Sequence, residues 1–457
     1  MKVIEFTGVL TENGWVMPAF VTLDREGRVV EITARPPEGE FTAEKVEGYA
    51  IPGFQNAHSH AFQYAMAGTA ERHIYPDDFW SWREKMYQLA LSISPEEMEA
   101  VATMLYTEML RNGYTAVAEF HYLHHERDGI HYDNLSEMGE RLIAAAANAG
   151  IRITLIPMFY QKGGLGQLPT AGQRRFISPD TDAYFDLVEA SRHSLRFYHR
   201  ASLGVGVHSI RAVEGESICR TVADTDPNLP FHLHVSEQKK EVADCLDFYG
   251  LRPVEWLMEN LPLSPRFHLV HATHLAENEI AGIAGSGAQV VLCPSTEGNL
   301  GDGRFSLVEF QSLGGKWSVG TDSHIGLSLP EELRILDYGQ RIYHHRRNIF
   351  HSPQNPDGGR YGLEQMWRNG WKAMGQSDSV WFGAGEEFDA VVLDKNHPLV
   401  GNCSPENLLS TLIYAGDSST FLGTMVAGEW VIYEGKHHRL PEIKTRFSQA
   451  IRSLNNR

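Results

Sequence analysis

Histidine and acidic side chains recur near the ends of apolar, strand-like runs between residues 58 and 322. His58 and His60 are two residues apart, which places both imidazoles on the same face of an extended segment. The other candidates stand in three later runs and are His232, His234, His271 and Asp322. Imidazole and carboxylate ligands around an open coordination position are what a hydrolytic zinc site needs. Several such groups at matching strand ends are hard to explain by packing alone.

A possible acid–base group follows one of these histidines. Glu237 lies three residues after His234, at the start of the loop that leaves the strand-like run. A carboxylate at this point can take a proton from an attacking water and pass it to a leaving amine. The alternative is that Glu237 is only the opening charge of the next helix. The neighbouring histidines favour the catalytic interpretation.

The elements that must position these groups alternate regularly after residue 51. Apolar runs are separated by long helical patterns, which is typical of βα units around a parallel sheet. Eight such runs predict a (β/α)₈ TIM-like barrel, in which catalytic groups lie at the C-terminal ends of the strands. The runs are GFQNAHSH (53–60), YTAVAEF (114–120), IRITLIPM (151–158), SLGVGVHS (202–209), PFHLHVS (230–236), RFHLVHAT (266–273), AQVVLCPS (288–295) and KWSVGTDS (316–323).

Helix signals are clear in one of the intervening stretches. Ser94 as N-cap, Pro95 at the first position and Glu97 two residues later predict a helix that ends before Gly113. The aromatic run FWSWREKMY (79–87) has the density of a lid or of a packed helix, and packing is the favoured interpretation. KGGLGQL (162–168) is interpreted as a flexible loop near the mouth of the active site.

Both ends of the chain have short strand-like patterns with turn signals. They predict one small β-sandwich domain built from residues 1–50 and 386–457. The barrel would then occupy residues 51–385.

The composition excludes several classes of protein. The 457 residues are 42% hydrophobic with a formal net charge of −18, which is globular and too acidic for a nucleic-acid or anionic-membrane surface. No apolar run approaches the ~18 residues of a membrane span, and the N-terminal segment does not resemble a signal peptide.

Four widely spaced cysteines favour reduced thiols and a cytoplasmic location. No metalloprotease, serine-hydrolase or cytidine-deaminase motif is present.

The motif set resembles the amidohydrolase superfamily. The matching features are HxH in the first run, HxxE in the fifth, a histidine in the sixth, an aspartate in the eighth and the small β domain from both termini. The resemblance implies one divalent metal ion, Zn²⁺ with Fe²⁺ as the alternative, held by His58, His60, His234 and Asp322. It also implies that Glu237 shuttles protons, that His271 hydrogen-bonds the attacking hydroxide or the tetrahedral intermediate, and that Asp322 belongs to the catalytic group.

The number of metal ions follows from the third and fourth runs. Binuclear members of the superfamily place a bridging lysine carbamate or glutamate there. Met158 and His208 end these runs here, so the resemblance implies the mononuclear, deaminase-like branch. Lys162, just past the third run, is interpreted as a loop lysine.

Longer motifs, among them NAHSHAFQYAMAG, LHVSEQ and CPSTEGNLGDGRF, narrow the resemblance. They are similar to those of deiminases that hydrolyse N-formimino-L-glutamate to N-formyl-L-glutamate and ammonia in histidine degradation. The resemblance implies attack of metal-bound hydroxide on the formimino carbon. Two substrate carboxylates demand charged or bidentate donors. The candidate substrate-binding residues are Gln63, Arg83, Tyr122, His208 and Arg211.

Two other functions stay open. The same fold and metal could serve a different substrate, such as guanine or a related cyclic amidine, because specificity resides in loops. A catalytically inactive barrel that acts as a scaffold is the third hypothesis. A homodimer is expected by default because two-fold dimers dominate among oligomers.

Overall fold

The computed structural model describes residues 1–39, 41–69, 71, 79–376 and 379–457. The strands of this part form two separate nine-stranded sheets. In chain order the strands are β1 (Lys2–Thr11), β2 (Gly14–Val16), β3 (Ala19–Leu23), β4 (Val29–Thr33), β5 (Ala43–Pro52), β6 (Phe54–Ser59), β7 (Tyr114–His121), β8 (Arg152–Phe159), β9 (Ala201–Leu203), β10 (Val205–Ser209), β11 (Phe231–Val235), β12 (Phe267–His271), β13 (Gln289–Leu292), β14 (Lys316–Val319), β15 (Ala390–Asp394), β16 (Phe421–Val426), β17 (Glu429–Tyr433) and β18 (Lys436–His437).

The barrel is built from β6 to β14, all of them paired in parallel. Ser59 bridges Asp322, and the amide of His60 donates to the carbonyl of Asp322 at 3.2 Å, so the last run returns to the first and closes the ring. The fourth run is split into β9 and β10, which both pair with β8. The predicted (β/α)₈ barrel is confirmed.

Helices connect the strands along the chain, and those from the barrel segment cover its outside. In the described residues they are α1 (Phe79–Ser92), α2 (Pro95–Arg111), α3 (Glu137–Ala149), α4 (Thr181–Ser194), α5 (Gly215–Asp224), α6 (Lys239–Tyr249), α7 (Pro253–Asn260), α8 (Glu277–Ser286), α9 (Pro294–Leu300), α10 (Leu307–Ser312), α11 (Leu329–His344), α12 (Gly358–Ala373), α13 (Pro398–Gly401), α14 (Leu408–Ala415) and α15 (Leu440–Asn455). None of them is long and apolar enough to cross a lipid bilayer.

The helix predicted after Ser94 begins as expected. The Ser94 hydroxyl accepts from the amide of Glu97 at 3.2 Å, and the Glu97 carboxylate accepts from the amide of Ser94 at 2.9 Å. This reciprocal capping satisfies two backbone donors that the first turn leaves without partners. Gly113 follows the helix with a φ of 87°, which a residue with a side chain rarely adopts.

The second sheet joins the two ends of the chain. Its order is β18-β17-β16-β15-β5-β1-β3-β4, with β2 on the edge of β1. The predicted small β domain from both termini is therefore confirmed as part of the fold, while its exact boundaries at residues 50 and 386 stay a prediction. The C-terminal helix α15 leaves this sheet and packs on α2 of the barrel, where Ala450 is buried against Ala100 and Val101.

Candidate metal centre and active site

Four of the predicted side chains meet at the C-terminal end of the barrel. His58 Nε2 lies 3.2 Å from His60 Nε2 and 3.2 Å from His234 Nε2. Asp322 Oδ1 lies 3.3 Å from His58 Nε2 and 3.2 Å from His60 Nε2. One ligand atom from each residue falls within 4.8 Å of the others, and all four residues are buried. Three imidazoles and one carboxylate at this spacing are a donor set that suits Zn²⁺.

Backbone carbonyls orient two of the imidazoles. His60 Nδ1 donates to the carbonyl of Phe120 at 2.8 Å, and His234 Nδ1 donates to the carbonyl of His208 at 3.1 Å. Each bond fixes the tautomer that leaves the Nε2 lone pair directed at the cluster. Burial lowers the pKa of His58 to about 4 and that of His60 to about 3. Both rings are therefore neutral, as metal ligation requires.

The fourth donor is charged. Burial opposes ionisation of Asp322, but its hydrogen bond with His58 and the surrounding imidazoles hold the pKa of this carboxyl well below its usual range. The backbone at three strand ends is also unusual, because Ser236, His271 and Asp322 have φ values of 52°, 68° and 48°. Residues with side chains seldom adopt this left-handed conformation, and where they do the site is often functional.

Glu237 lies beside the metal-ligand group and faces two basic side chains. Its Oε1 is 3.9 Å from His271 Nε2 and its Oε2 is 3.5 Å from a terminal nitrogen of Arg211. Burial raises the pKa of Glu237 above its ordinary value even though His271 and Arg211 oppose the shift. A carboxyl group with a raised pKa holds a proton more readily than an ordinary carboxylate and can still pass it to a leaving nitrogen. The predicted acid–base position is therefore chemically suited to that role.

A cavity of about 340 Å³ opens directly onto this cluster. Its wall includes every residue that the sequence offered as a substrate contact: Gln63, Arg83, Tyr122, His208 and Arg211. Gln63 donates from its amide nitrogen to the hydroxyl of Tyr122 at 2.9 Å. One terminal nitrogen of Arg211 is buried without a hydrogen-bond partner among the described residues. A buried guanidinium donor that has no hydrogen-bond partner is suited to binding an anionic group of a ligand.

The helix that carries the aromatic run FWSWREKMY packs into the core and also faces the cavity. Met86 and Tyr87 of α1 belong to the main hydrophobic core, and α1 lines the cavity with Phe79, Trp82, Met86 and Tyr87, beside the predicted contact Arg83. The favoured interpretation as a packed helix is therefore confirmed. The cavity contacts were not predicted, because aromatic density does not distinguish a helix that only faces the core from one that also faces a cavity. The glycine-rich loop at 163–167 also lines the cavity, as the sequence indicated.

A scan against known families matches residues 49–431 to the amidohydrolase family model. The chain belongs to the amidohydrolase family. The predicted superfamily is thus confirmed, and the match spans the barrel with strands of both terminal segments.

Individual relatives of this amidohydrolase agree with that result. The chain is 42% identical over 456 residues to a Pseudomonas aeruginosa protein named formimidoylglutamate deiminase, covering 99% of this chain and 100% of that protein. A crystal structure of an amidohydrolase from Brucella melitensis is 39% identical, with a TM-score of 0.93 and full coverage of both chains. An adenosine deaminase from Xanthomonas campestris with bound zinc shares the fold at 22% identity, with a TM-score of 0.83 over 100% of this chain and 98% of that one.

Sequence reasoning missed two buried glutamates that support the amidohydrolase site. Glu119, on β7, accepts from the Ser59 hydroxyl and from the amide of Ala61, both at 2.6 Å, and so holds both neighbours of His60. Glu297, on α9, lies with Oε1 3.4 Å from His271 Nδ1. The only sequence signal for either residue was an acidic side chain inside or beside an otherwise apolar run.

His232 has no place in the cluster, although it stands two residues before His234. Its Nε2 donates to the carbonyl of Ala373 at 2.8 Å, and its ring stacks on that of His268 with centroids 4.7 Å apart. It is a buried histidine of the barrel interior. The spacing alone could not separate it from the neighbouring ligand candidate.

Proposed function

We propose that this amidohydrolase hydrolyses N-formimino-L-glutamate to N-formyl-L-glutamate and ammonia, a step of histidine degradation. The observation that carries the proposal is the position of Arg211. Its guanidinium lines the same cavity as Glu237 and three of the four metal-ligand candidates, His60, His234 and Asp322, and one of its donors is buried without a partner in the described chain. The high similarity to a protein named formimidoylglutamate deiminase supports the same substrate.

His58, His60, His234 and Asp322 would hold one divalent cation, Zn²⁺ with Fe²⁺ as the alternative. Both ions accept nitrogen and carboxylate donors. Such a cation supplies an attacking water of lowered pKa and polarises the bond under attack. The place of Lys162 supports a single ion. Lys162 lies in the loop after β8 and pairs with Glu214, just before α5, instead of joining the cluster.

Glu237 would move the protons of the reaction. The formimino group is an amidine, and water must add to its C=N carbon before ammonia can leave. Glu237 accepts a proton from the attacking water and delivers it to the nitrogen that departs. His271, whose Nε2 lies 3.9 Å from Glu237, stabilises the oxygen that the added water brings to the carbon. Glu297 holds His271 from its other side.

The glutamate part of the substrate would lie along the arginine-lined wall. Arg83 and Arg211 bind the two carboxylates, because planar guanidinium groups match carboxylate geometry in a bidentate manner. The Tyr122 hydroxyl and the His208 ring add neutral donors beside them. Gln63 has an amide oxygen that is buried without a hydrogen-bond partner in the described residues, and this oxygen accepts from the substrate's nitrogen.

Product analysis tests the proposal. Metal-replete protein is incubated with N-formimino-L-glutamate, and ammonia and N-formylglutamate are measured together. Equal amounts of the two products support attack at the formimino carbon with loss of ammonia. Formamide and glutamate would mean that the other C–N bond breaks. No turnover of this compound, with turnover of guanine or another cyclic amidine, would contradict the substrate and retain the metal hydrolase.

A further inference from the structure

Arg175 is a buried arginine with no acidic hydrogen-bond partner. Its exposed fraction is 0%, and its hydrogen bonds within the described residues go to neutral acceptors. Nε donates to the carbonyl of His125 at 2.7 Å, and one terminal nitrogen donates to the hydroxyl of Tyr132 at 3.1 Å. The other terminal nitrogen donates to the carbonyls of Ala90 at 2.6 Å and Ile93 at 2.8 Å. A buried cation normally requires a carboxylate partner, so another group must compensate this charge.

The C-terminal end of α1 takes the place of that carboxylate. The helix ends at Ser92, so the carbonyl of Ala90 belongs to the last turn, where carbonyls have no partner within the helix. The aligned peptide dipoles also concentrate partial negative charge at this end. The Arg175 guanidinium satisfies the carbonyls of Ala90 and of Ile93, just beyond the helix. The helix end in turn compensates the buried positive charge.

Arg175 is also bound to the loop that follows β7. The amides of His124 and His125 donate to the carbonyl of Arg175 at 2.9 Å and 3.0 Å, and the Arg175 side chain donates back to the carbonyl of His125. This loop begins with Tyr122, one of the candidate substrate contacts. Arg175 therefore joins the end of α1 to the loop that carries Tyr122.

The next residue, Phe176, packs between the same two segments. Its buried ring lies edge-on to that of Tyr122 with centroids 5.1 Å apart, and its centroid is 5.8 Å from that of Tyr87 on α1. Arg83 precedes Tyr87 by one helical turn, and its guanidinium carbon lies 5.4 Å from the centre of the Tyr87 ring. These contacts fix the position of Arg83 relative to Tyr122.

The contact at Ala90 lies on the side of α1 that presents Arg83. Arg83, Tyr87 and Ala90 stand at positions i, i+4 and i+7, so they follow one side of the helix over two turns. Arg83 lines the cavity, whereas Arg175 is not among the lining residues. Any effect of Arg175 on a bound substrate must therefore pass through the residues that it holds.

We propose that Arg175 is a positioning residue for substrate binding. It holds the end of α1 against the loop after β7, so that the guanidinium of Arg83 meets a carboxylate of the substrate. This inference rests on the proposed function, because it takes the substrate to be N-formimino-L-glutamate. It adds to that function a residue outside the cavity that sets the place of one of the two carboxylate-binding arginines.

Steady-state kinetics of Arg175→Met test the role in binding. The variant is expected to raise KM for N-formimino-L-glutamate about tenfold, within the ~100-fold that a small displacement of a binding group can cost. Bound metal and kcat should stay close to wild type, because the metal-ligand candidates and Glu237 lie on other elements. A purely structural loss would instead lower the active fraction, and with it the apparent kcat, at an unchanged KM.

The matched control is the neighbouring arginine. Arg174 also donates to backbone carbonyls, those of Arg127 and Ala171, but not to any residue of α1. Arg174→Met is therefore expected to leave both KM and kcat unchanged. A rise in KM as large as that of Arg175→Met would overturn the proposal.

A double-mutant cycle shows whether the effect passes through Arg83. Arg83→Met alone is expected to raise KM by roughly 10–100-fold, as for the loss of a charged hydrogen bond. Adding Arg175→Met is expected to give no further rise, because α1 then has no guanidinium to position. Full additivity of the two changes would contradict the proposal.

Arg175→Lys separates position from charge. Lysine keeps the positive charge but lacks the planar fork that binds α1 and the loop after β7 at the same time, so KM is expected to stay raised. A wild-type KM in this variant would mean that Arg175 acts through its charge alone. That result would exclude the positioning role, and it does not depend on whether Arg175→Met folds.

Hydrogen exchange of the same proteins separates this inference from the proposed function. Amides of α1 are expected to exchange about tenfold faster in Arg175→Met than in wild type or Arg174→Met, with or without substrate, because the helix end is released. Unchanged exchange would overturn the contact as the holder of α1, whatever the substrate is. Wild-type protein that does not hydrolyse N-formimino-L-glutamate would contradict the proposed function, and with it the role of Arg175 in binding that substrate, even where α1 exchanges faster.

Discussion

Two clusters of charged and polar side chains, one buried and the other half-buried, are built in opposite ways in this protein. In the first, His58, His60, His234 and Asp322 direct their ligand atoms at one another at the C-terminal end of the barrel. In the second, Arg152 of β8 donates to Asp389 at 2.5 Å and also pairs with Glu387. Arg200 donates to the same Glu387 at 3.1 Å, and the cluster joins the barrel to the segment before β15.

The difference lies in which charges have partners inside the protein. The arginine cluster pairs each cation with a carboxylate, so burial is compensated within the chain. The histidine cluster instead places three imidazole nitrogens and one carboxylate around a common point, and burial suppresses the protonation that could pair them. A bound cation would compensate that arrangement. The first cluster is therefore suited to binding a cation, and the second holds two parts of the fold together.

Removal of a metal ligand is expected to have the largest effect. His234→Asn should reduce bound metal to background, because the remaining three donors form an incomplete site. Turnover should fall by more than the ~10⁴-fold upper limit for loss of an acid–base group, since the attacking water would return to its ordinary pKa. Metal analysis and the ammonia assay measure both effects. His232→Asn is the matched control on the same strand and should retain metal; loss of metal from that variant alone would contradict the assignment.

Loss of the proton carrier is expected to be the next largest effect. Glu237→Gln should keep bound metal and the fold but lower kcat by about 10²–10⁴-fold, because the amide cannot transfer a proton. Steady-state kinetics with metal analysis of the same sample measure this. Asp244→Asn removes a carboxylate from the rim of the same cavity and should leave kcat close to the wild-type value. A near-normal kcat in Glu237→Gln would exclude the proposed role.

The two clusters also differ in how far the sequence predicts them. HxH, HxxE and the strand-end positions of His271 and Asp322 identify the metal centre because barrel strands present their C-terminal ends on one face. The arginine cluster has no such signal, since Arg152 and Glu387 are 235 positions apart and only the joining of the terminal sheet to the barrel brings them together. Glu119 was missed for a similar reason, because its partner Ser59 belongs to another strand.

Disruption of the arginine cluster should affect stability and leave catalysis unchanged. Arg152→Leu leaves Asp389 and Glu387 partly unpaired in a half-buried setting, and it should lower the free energy of unfolding by up to about 3 kcal/mol, the lower end of the range for a fully buried pair. Chemical denaturation measures the loss, and kcat of the folded fraction should not change. Arg192→Leu breaks an exposed pair with Glu189 and should cost about 1 kcal/mol or less. Equal losses in the two variants would mean that burial does not set the strength of these pairs.

Removal of the proposed carboxylate donor should have a smaller and selective effect. Arg211→Met should raise KM for N-formimino-L-glutamate by roughly 10–100-fold, the equivalent of about 1.5–3 kcal/mol for a charged hydrogen bond. The substrate carboxylate is bound in the ground state and in the transition state alike, so kcat should change little. Steady-state kinetics separate the two constants. A fall confined to kcat would show that Arg211 acts on Glu237, 3.5 Å away, instead of on the substrate.

The smallest effect is expected from substitution of Glu119, a buried acid that contacts the neighbours of His60 but is not itself one of the metal-ligand candidates. Glu119 accepts from Ser59 and Ala61, the two neighbours of His60, and from the Tyr106 hydroxyl at 3.0 Å. Glu119→Gln replaces one acceptor oxygen with a donor, so one of these bonds must be lost and His60 is held less firmly. Metal affinity, measured by competition with a chelator, should weaken by about tenfold, the lower end for groups that orient a ligand. Activity at saturating metal should recover, whereas Glu237→Gln gains nothing from added metal. An unchanged affinity would place Glu119 with the arginine cluster, as a buried charge that serves the fold alone.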